Sequence, residues 1–209
     1  MSSQLLQIHP DNPQPRLIKQ AVDVLCADGV IAYPTDSAYA LGCHIGDKAS
    51  MERIRRIRDL DAKHNFTLVC RDLSEIALYA KVGNAAYRLI KSLTPGPYTF
   101  ILKATREVPR RLQNPKRRTI GLRVPDNAIA SSLLSVLGEP LMSSTLILPG
   151  ADLPLTDPDE IFHELNNSVD LVIDGGNCGI EPTTVVDLVD DDVPIVARQG
   201  KGDTTLFSD

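Results

Sequence analysis

The amino-acid sequence predicts a single α/β domain, residues 1–209, with a twisted mixed β-sheet, helices on both faces and a basic, concave cavity at strand ends. Helix and strand patterns alternate along the chain, and mostly short connections join them. Neither an internal repeat nor a low-complexity linker divides the 209 residues, a length that suits one large domain or two small ones. The buried strand predicted over residues 30–34 runs straight into Thr35, Asp36 and Ser37. A bound ligand is one source of the partners that such polar groups need.

The first half of the chain contains helices with clear end signals. Apolar residues recur at helical spacing between residues 17 and 25, and Gly29 is expected to stop that helix. Asp47 is placed to cap the next helix, and Asp72 with Glu75 resembles a capping box. The predicted elements are helices over residues 15–27, 47–59, from 72 onward and 84–93, with strands over residues 30–34 and 67–70.

The second half provides most of the predicted sheet. A basic connection that contains prolines, residues 105–118, separates its first two strands. Asp126 is expected to cap a helix that ends at Gly138, and Asp157 followed by Pro158 opens a short helix. The predicted strands cover residues 98–104, 119–124, 141–146, 169–174, 184–188 and 194–198.

Composition excludes several classes of protein. Hydrophobic residues make up 43% of the chain and charged residues 23%, as in ordinary globular proteins. No apolar run approaches the ~18 residues of a membrane-spanning helix. The N-terminus has no basic stretch followed by an apolar one, so we expect no secretory signal, no membrane partner and a cytoplasmic location.

The reactive residue types form no familiar motif. The four cysteines have no C-x-x-C spacing, and the four histidines form no H-x-x-x-H pair, so we expect buried thiols and no resident metal. The sequence also lacks the G-x-x-x-x-G-K-[ST] of a P-loop, G-x-G-x-x-G and G-x-S-x-G. A nucleophilic mechanism therefore has no visible support.

Charge is distributed unevenly along the chain. The net charge is -5, yet residues 51–123 contain 17 Lys or Arg against 6 Asp or Glu. A basic block within an acidic chain predicts a polyanionic partner, either nucleotide phosphates, RNA or both. Solvated helix faces would explain isolated charges, but they explain RIRRIR and PRRLQNPKRR in one block less well.

An ordered series of motifs resembles the YrdC-like family of threonylcarbamoyl-AMP synthases. The two most specific blocks are PTDSAYALGC, residues 34–43, and GGNCGIEPTTVVD, residues 175–187. RRIRDL, TIGLRVP, EPLMSSTLILPG and IVARQGKG fall in the family's order around them, so the likeness runs from residue 16 to residue 202. Within the family, HNFTLVCRD and PGPYTFILK fit the YciO branch best. Longer relatives carry a further C-terminal domain, which we expect this chain to lack.

The resemblance implies a YrdC-like fold and a specific reaction. L-Threonine and bicarbonate form a carbamate, whose oxygen attacks the α-phosphate of ATP to give threonylcarbamoyl-AMP and pyrophosphate. That product serves the threonylcarbamoyladenosine modification of tRNA. Mg²⁺ is expected to arrive with ATP. Such chemistry depends on positioned substrates and cations more than on a protein nucleophile.

The resemblance also assigns roles to individual residues. Thr35, Arg123 and Thr183 match contacts to the amino-acid substrate, and a guanidinium suits its carboxylate. Thr119 and Arg198 match nucleotide contacts. Each of these residues also has a structural alternative: Thr35 suits a turn, Arg123 and Arg198 suit an ion pair with a neighbouring acid, and Thr119 and Thr183 suit an ordinary strand. The ordered set favours the functional interpretation.

Three positions depart from the synthase pattern. Arg56-Ile57-Arg58 replaces Lys-x-Arg, and we expect both arginines to contact ATP and contribute to catalysis. Thr145-Leu146-Ile147 replaces Ser-x-Asn, which keeps a catalytic hydroxyl at Thr145 but loses the amide. Cys70 falls near a strand-end histidine of the family. Because losing one oriented polar contact commonly costs ~10²–10³ in rate, we expect synthase activity to be reduced.

RNA binding without catalysis is the alternative function. Five basic residues of the connection between strands would track phosphates along one edge. They are Arg110, Arg111, Lys116, Arg117 and Arg118. The chain has no Trp and the block contains few aromatic residues, so structured or double-stranded RNA is the expected target rather than a single strand. A solvated basic loop is the competing interpretation.

Overall fold

One mixed β-sheet runs through the computed structural model, which describes residues 3–61, 64–190 and 193–207. In these ranges the sheet has eleven strands. The strands are β1 (Gln4–Gln7), β2 (Ile31–Tyr33), β3 (Ala40–His44), β4 (Thr67–Val69), β5 (Ala80–Lys81), β6 (Tyr98–Ala104), β7 (Thr119–Arg123), β8 (Leu141–Thr145), β9 (Leu171–Asp174), β10 (Thr184–Asp187) and β11 (Ile195–Arg198). The helices are α1 (Pro15–Cys26), α2 (Lys48–Arg58), α3 (Leu73–Tyr79), α4 (Asn84–Leu93), α5 (Ala128–Leu137) and α6 (Pro158–Glu164).

The strand order confirms the predicted mixed sheet. It runs β1-β9-β2-β3-β8-β4-β7-β6-β10-β11, with β5 paired to β6. The pairs β1/β9, β2/β9, β4/β7 and β6/β10 are parallel, whereas β2/β3, β3/β8, β4/β8, β6/β7 and β10/β11 are antiparallel. The short strands β1, β3 and β5 were not predicted from the sequence.

Helices cover the two faces of the sheet unequally, as the alternation of side chains along each strand dictates. On one face, buried side chains of α2, α3, α4 and α6 pack in one large cluster with alternate residues of the strands. On the other face, α1 and α5 pack together over β9, β2 and β3, in a second cluster that includes Ile18, Leu25, Ile31 and Leu133. The second cluster leaves most of the β4, β7, β6 and β10 surface on that face uncovered by helix, which makes room for a cavity.

Local signals set most helix ends, with two differences from prediction. Asn127 caps α5 in place of Asp126, since the Asn127 side chain accepts from the Ala130 amide. After α1, Asp28 rather than Gly29 adopts the left-handed conformation, with φ of 60°. Gly29 is required by close approach instead, because an added Cβ would lie 2.6 Å from the Val24 carbonyl oxygen.

Candidate active site

A cavity of about 850 Å³ lies on the uncovered half of the sheet. Its floor is the sheet face itself, formed by Thr67 of β4, Thr99 and Ile101 of β6 and Gly121 of β7. Gly121 has no side chain to fill the space above the sheet, and a Cβ added there would lie 3.2 Å from Thr99 Cγ2 and 3.3 Å from Thr67 Oγ1. The cavity is concave and basic as predicted, but it extends across the face of the strands rather than lying only at their ends.

Arg58 reaches the cavity from the last turn of α2. Its Nε donates to the Ile147 carbonyl at 3.1 Å and its Nη1 to Ser144 Oγ at 2.5 Å. These two bonds tie the helix to the end of β8 and fix the guanidinium on the cavity wall. Burial lowers the pKa of Arg58, but an arginine still keeps its charge near neutral pH. The side chain therefore presents a fixed positive charge to any ligand.

Arg123 ends β7 and forms a buried ion pair. Its Nη2 donates to Asp36 Oδ1 and its Nη1 to Ser37 Oγ at 3.2 Å. Both members of the pair are 9% exposed, while Arg123 Nε is buried and has no hydrogen-bond partner among the described residues. The Asp126 amide donates to Asp36 Oδ2 at 3.1 Å. The structural alternative for Arg123 is thus realised, and the residue also lines the cavity.

Arg198 and Thr183 contact each other on another part of the cavity wall. Arg198 Nη2 donates to the Thr183 carbonyl at 2.9 Å, and its Nε donates to the same oxygen at 3.3 Å. The Thr183 hydroxyl shares a hydrogen bond of 2.8 Å with that of Thr99. Burial lowers the pKa of Arg198. Both predicted residues line the cavity, where they combine a cation with hydroxyl groups.

The polar loop after β2 is organised around Thr35. The Thr35 hydroxyl donates to the Ala38 carbonyl at 2.6 Å and accepts from the amides of Ser37 and Ala38, each at 3.2 Å. These are the bonds of a turn built on a hydroxyl side chain. Ser37 and Ala38 line the cavity, whereas Thr35 is buried and does not line it. The predicted contact between Thr35 and substrate stays a prediction.

The remaining positions of the synthase pattern divide between the cavity and its surroundings. Thr119, Thr145 and Ile147 line the cavity. Arg56 is exposed on α2 and does not line it. Cys70 is fully buried in the larger core cluster, where burial raises the pKa of its thiol well above the ordinary value. The expectation of buried thiols is confirmed for Cys70 and is wrong for Cys26, which is exposed.

The five basic residues of the predicted RNA edge are all exposed, but they do not line one cavity together. Arg117 lines the main cavity and pairs with Asp187 at 2.7 Å. Arg110 and Arg111 line a smaller cavity beside it, and the Arg111 guanidinium donates to the Gly46 carbonyl. Lys116 and Arg118 line neither cavity. RNA binding by this set stays a prediction.

Sequence reasoning missed several residues of the cavity wall, including His64, Asn65 and Ser144. Burial lowers the pKa of His64, the charge of Arg58 lowers it further, Asp61 raises it and Arg55 lowers it. Among sequence signals, only the many basic residues near position 64 could have drawn attention to His64, because its position depends on the loop that follows α2.

Among the described residues, no group of three or more His, Cys, Asp or Glu side chains is arranged to hold a metal ion. None of the helices in the described ranges has the length and hydropathy to cross a membrane.

Comparison with known proteins places this geometry in a family. The family model described as "Telomere recombination", which carries the names Sua5, YciO and YrdC, matches residues 23–200. The chain belongs to the Sua5/YciO/YrdC family. It is 60% identical to Escherichia coli YciO over 205 residues, which are 98% of this chain and 99% of that protein. It is 30% identical to the threonylcarbamoyl-AMP synthase of Nitrosococcus oceani over 159 residues, 76% of this chain and 85% of that enzyme.

Solved structures of the family share this fold. The crystal structure of E. coli YciO superposes with a TM-score of 0.94 at 59% identity and covers 99% of this chain and 100% of that one. P. abyssi Sua5 complexed with L-threonine superposes with a TM-score of 0.86 at 22% identity. The match covers 95% of this chain and 58% of the P. abyssi chain. The predicted family and fold are therefore confirmed.

Proposed function

We propose that the cavity is the active site of a threonylcarbamoyl-AMP synthase with reduced activity, which acts on L-threonine, bicarbonate and Mg²⁺-ATP. The observation that carries the proposal is the set of four arginines, Arg58, Arg117, Arg123 and Arg198, on the walls of one cavity whose floor and rim are rich in hydroxyl groups. A volume near 850 Å³ lies within the ~300–1,000 Å³ range of small-molecule sites. Distant relatives with synthase activity and a relative complexed with L-threonine support the choice of substrates.

The arrangement of charges suggests where each substrate would bind. Arg123 would receive the threonine carboxylate, with Thr183 nearby as a hydroxyl partner, because a planar guanidinium suits a carboxylate. Arg58 and Arg198, each already fixed by hydrogen bonds to the protein, would receive phosphate oxygens. Thr119 would line the nucleotide end. We assign Arg56 no contact, because it does not line the cavity.

In this reaction the walls hold the reactants and stabilise charge. A carbamate oxygen forms a bond to the α-phosphorus, the bond from that phosphorus to the bridging oxygen breaks, and pyrophosphate leaves with the bonding electrons. Fixed cations that face the developing negative charge lower the barrier. Because no group of three or more His, Cys, Asp or Glu side chains among the described residues is arranged to hold a metal ion, Mg²⁺ would enter with the phosphates of ATP.

Reduced activity follows from the wall between Arg58 and Thr145. Ile147 lines the cavity with an aliphatic side chain where synthases carry an amide, and only its backbone carbonyl contacts Arg58. The Thr145 hydroxyl remains at the rim. The loss of one oriented polar contact to a transition state commonly costs ~10²–10³ in rate.

The test is a direct assay of both products. Purified protein is incubated with Mg²⁺-ATP, labelled bicarbonate and each amino acid in turn, and pyrophosphate and labelled adenylate are quantified. We expect both products to form in equal amounts with L-threonine, slowly, and more slowly still in Arg123→Lys. A variant with Thr145→Ser and Ile147→Asn restores the family pattern at the two departing positions that line the cavity. If neither the natural chain nor this variant forms adenylate with any amino acid, the proposal is wrong.

A further inference from the structure

A smaller cavity of about 170 Å³ opens beside the main one. His64, Asn65 and Leu112 line both cavities, so the two spaces share a wall. The rest of the smaller cavity is formed by the basic connection between β6 and β7 and by one residue of α2. These further lining residues are Arg55, Arg110, Arg111, Gln113 and Pro115. We call this space the side pocket.

The walls of the side pocket are held in place by the fold. Residues 110–112 form a 3₁₀ turn, and the buried side chain of Leu112 anchors it. The Arg111 guanidinium donates to the Gly46 carbonyl, which ties the turn to the loop before α2. Gln113 Nε2 donates to the Val108 carbonyl at 2.8 Å. Buried and hydrogen-bonded side chains of this turn therefore hold the wall of the pocket in place.

The side pocket is strongly basic. Three of its lining residues are arginines, and none of its described lining residues is acidic. The Arg55 guanidinium lies 5.3 Å from the centroid of the Phe66 ring, and its Nε lies 3.9 Å from Oε1 of Glu52, one turn earlier on α2. Closely spaced guanidinium groups repel one another unless an anion lies between them, and phosphate oxygens are the partners that arginine forks match best.

We propose that the side pocket binds a diphosphate group, and that it receives the pyrophosphate released by the reaction in the main cavity. This identity of the ligand rests on the proposed function, whereas diphosphate binding itself does not. His64 and Asn65 line both cavities, so the side pocket lies directly beside the space in which pyrophosphate would be released. A concave site of this size beside a nucleotide-sized cavity suits a small polyphosphate better than the backbone of an RNA helix.

His64 gives the proposal a spectroscopic readout. Its pKa is lowered first by burial and then by the charge of Arg58, Asp61 opposes this effect, and Arg55 adds to it. An anion in the side pocket would offset the positive charges that face the imidazole. Diphosphate binding should therefore raise the pKa of His64, which proton NMR follows through the imidazole signal, assigned with His64→Gln.

The decisive experiment is a calorimetric titration of the protein with inorganic pyrophosphate, and separately with AMP. The test variants are Arg110→Ala and the double variant Arg110→Ala/Arg111→Ala, and Arg106→Ala is the matched control. Arg106 is an exposed arginine of the same connection that lines neither cavity. We expect the dissociation constant for pyrophosphate to rise at least about tenfold in the double variant, as for loss of one charged hydrogen bond. It should stay within twofold in Arg106→Ala, and AMP affinity should be unchanged in all of them.

Each result decides the proposal. Unchanged AMP affinity shows that the double variant is folded, and Arg110→Ala alone, which leaves the Arg111 anchor intact, should still weaken pyrophosphate. If pyrophosphate affinity and the His64 pKa shift are the same in all variants, the side pocket is not a diphosphate site. A mobility shift with double-stranded RNA is run on the same variants; if RNA binding falls in the double variant while pyrophosphate affinity does not, the arginines form an RNA contact and the proposal is also wrong. If the arginine variants bind pyrophosphate more weakly but the natural chain makes no adenylate, the side pocket is still a diphosphate site and only the proposed function is wrong.

Discussion

The buried pair of Arg123 and Asp36 allows a prediction of stability with a magnitude. In Arg123→Met the new side chain fills the space of the aliphatic part of arginine, but the guanidinium is lost. The Asp36 carboxylate then stays buried with the Asp126 amide as a remaining donor. Both members of the pair are 9% exposed, and removing one partner of a buried ion pair costs about 3–5 kcal/mol. We therefore expect the free energy of unfolding to fall by that amount.

Urea denaturation followed by far-UV circular dichroism measures the change, since the chain has no Trp for fluorescence. The matched control is Arg106→Met, because the Arg106–Glu107 pair is 95% and 48% exposed and such pairs are worth about 0–1 kcal/mol. Asp36→Asn and the double variant Asp36→Asn/Arg123→Met complete a cycle, in which the double variant should lose less than the sum of the singles. A loss in Arg123→Met no larger than that in Arg106→Met would refute the reasoning.

Three further predictions concern the cavity wall, the thiols and a helix cap. Ile147→Asn should raise the rate of pyrophosphate release with L-threonine and ATP by about 10²-fold, because it restores an oriented amide; an unchanged rate would contradict this. In the native protein, iodoacetamide at pH 8 should alkylate exposed Cys26 and spare Cys43, whose pKa burial raises to about 12; peptide mass spectrometry checks the order. Asp72→Ala should lower the free energy of unfolding by about 1 kcal/mol at pH 7. The Glu75 backbone amide lowers the pKa of Asp72 below its unfolded-state value, so this stabilisation is present above the ordinary Asp pKa and is lost as pH falls through the folded-state pKa; an equal loss at all pH values would contradict it.

The sequence predicts those parts of the fold that depend on local signals. The bounds of α4 and β6 follow from their apolar patterns, and Asp47, Asp72 and Asp157 cap the helices they were expected to cap. The strands β1 and β3 were missed because pairing with distant partners stabilises them. Gln4–Gln7 is short and mostly exposed and pairs with β9, while Ala40–His44 pairs with β2 and β8. Neither has a local pattern of its own.

Motif order brought several cavity residues to attention, and their contacts with substrates stay predictions. Arg58, Arg123 and Arg198 line the cavity as the resemblance implied. The ion pair between Arg123 and Asp36 joins residues 87 positions apart, and its burial depends on packing that no motif encodes. His64 enters through the loop after α2 for the same reason.

Calorimetric titration with Mg²⁺-ATP tests most directly whether the basic cavity is a nucleotide site. The natural chain, Arg58→Ala and the control Arg106→Ala are compared. The account predicts heat of binding in the natural chain and in the control, and an affinity at least about tenfold weaker in Arg58→Ala, as for loss of a charged hydrogen bond. The absence of any heat with the natural chain at millimolar ATP, or an affinity that is the same in Arg58→Ala, would contradict it.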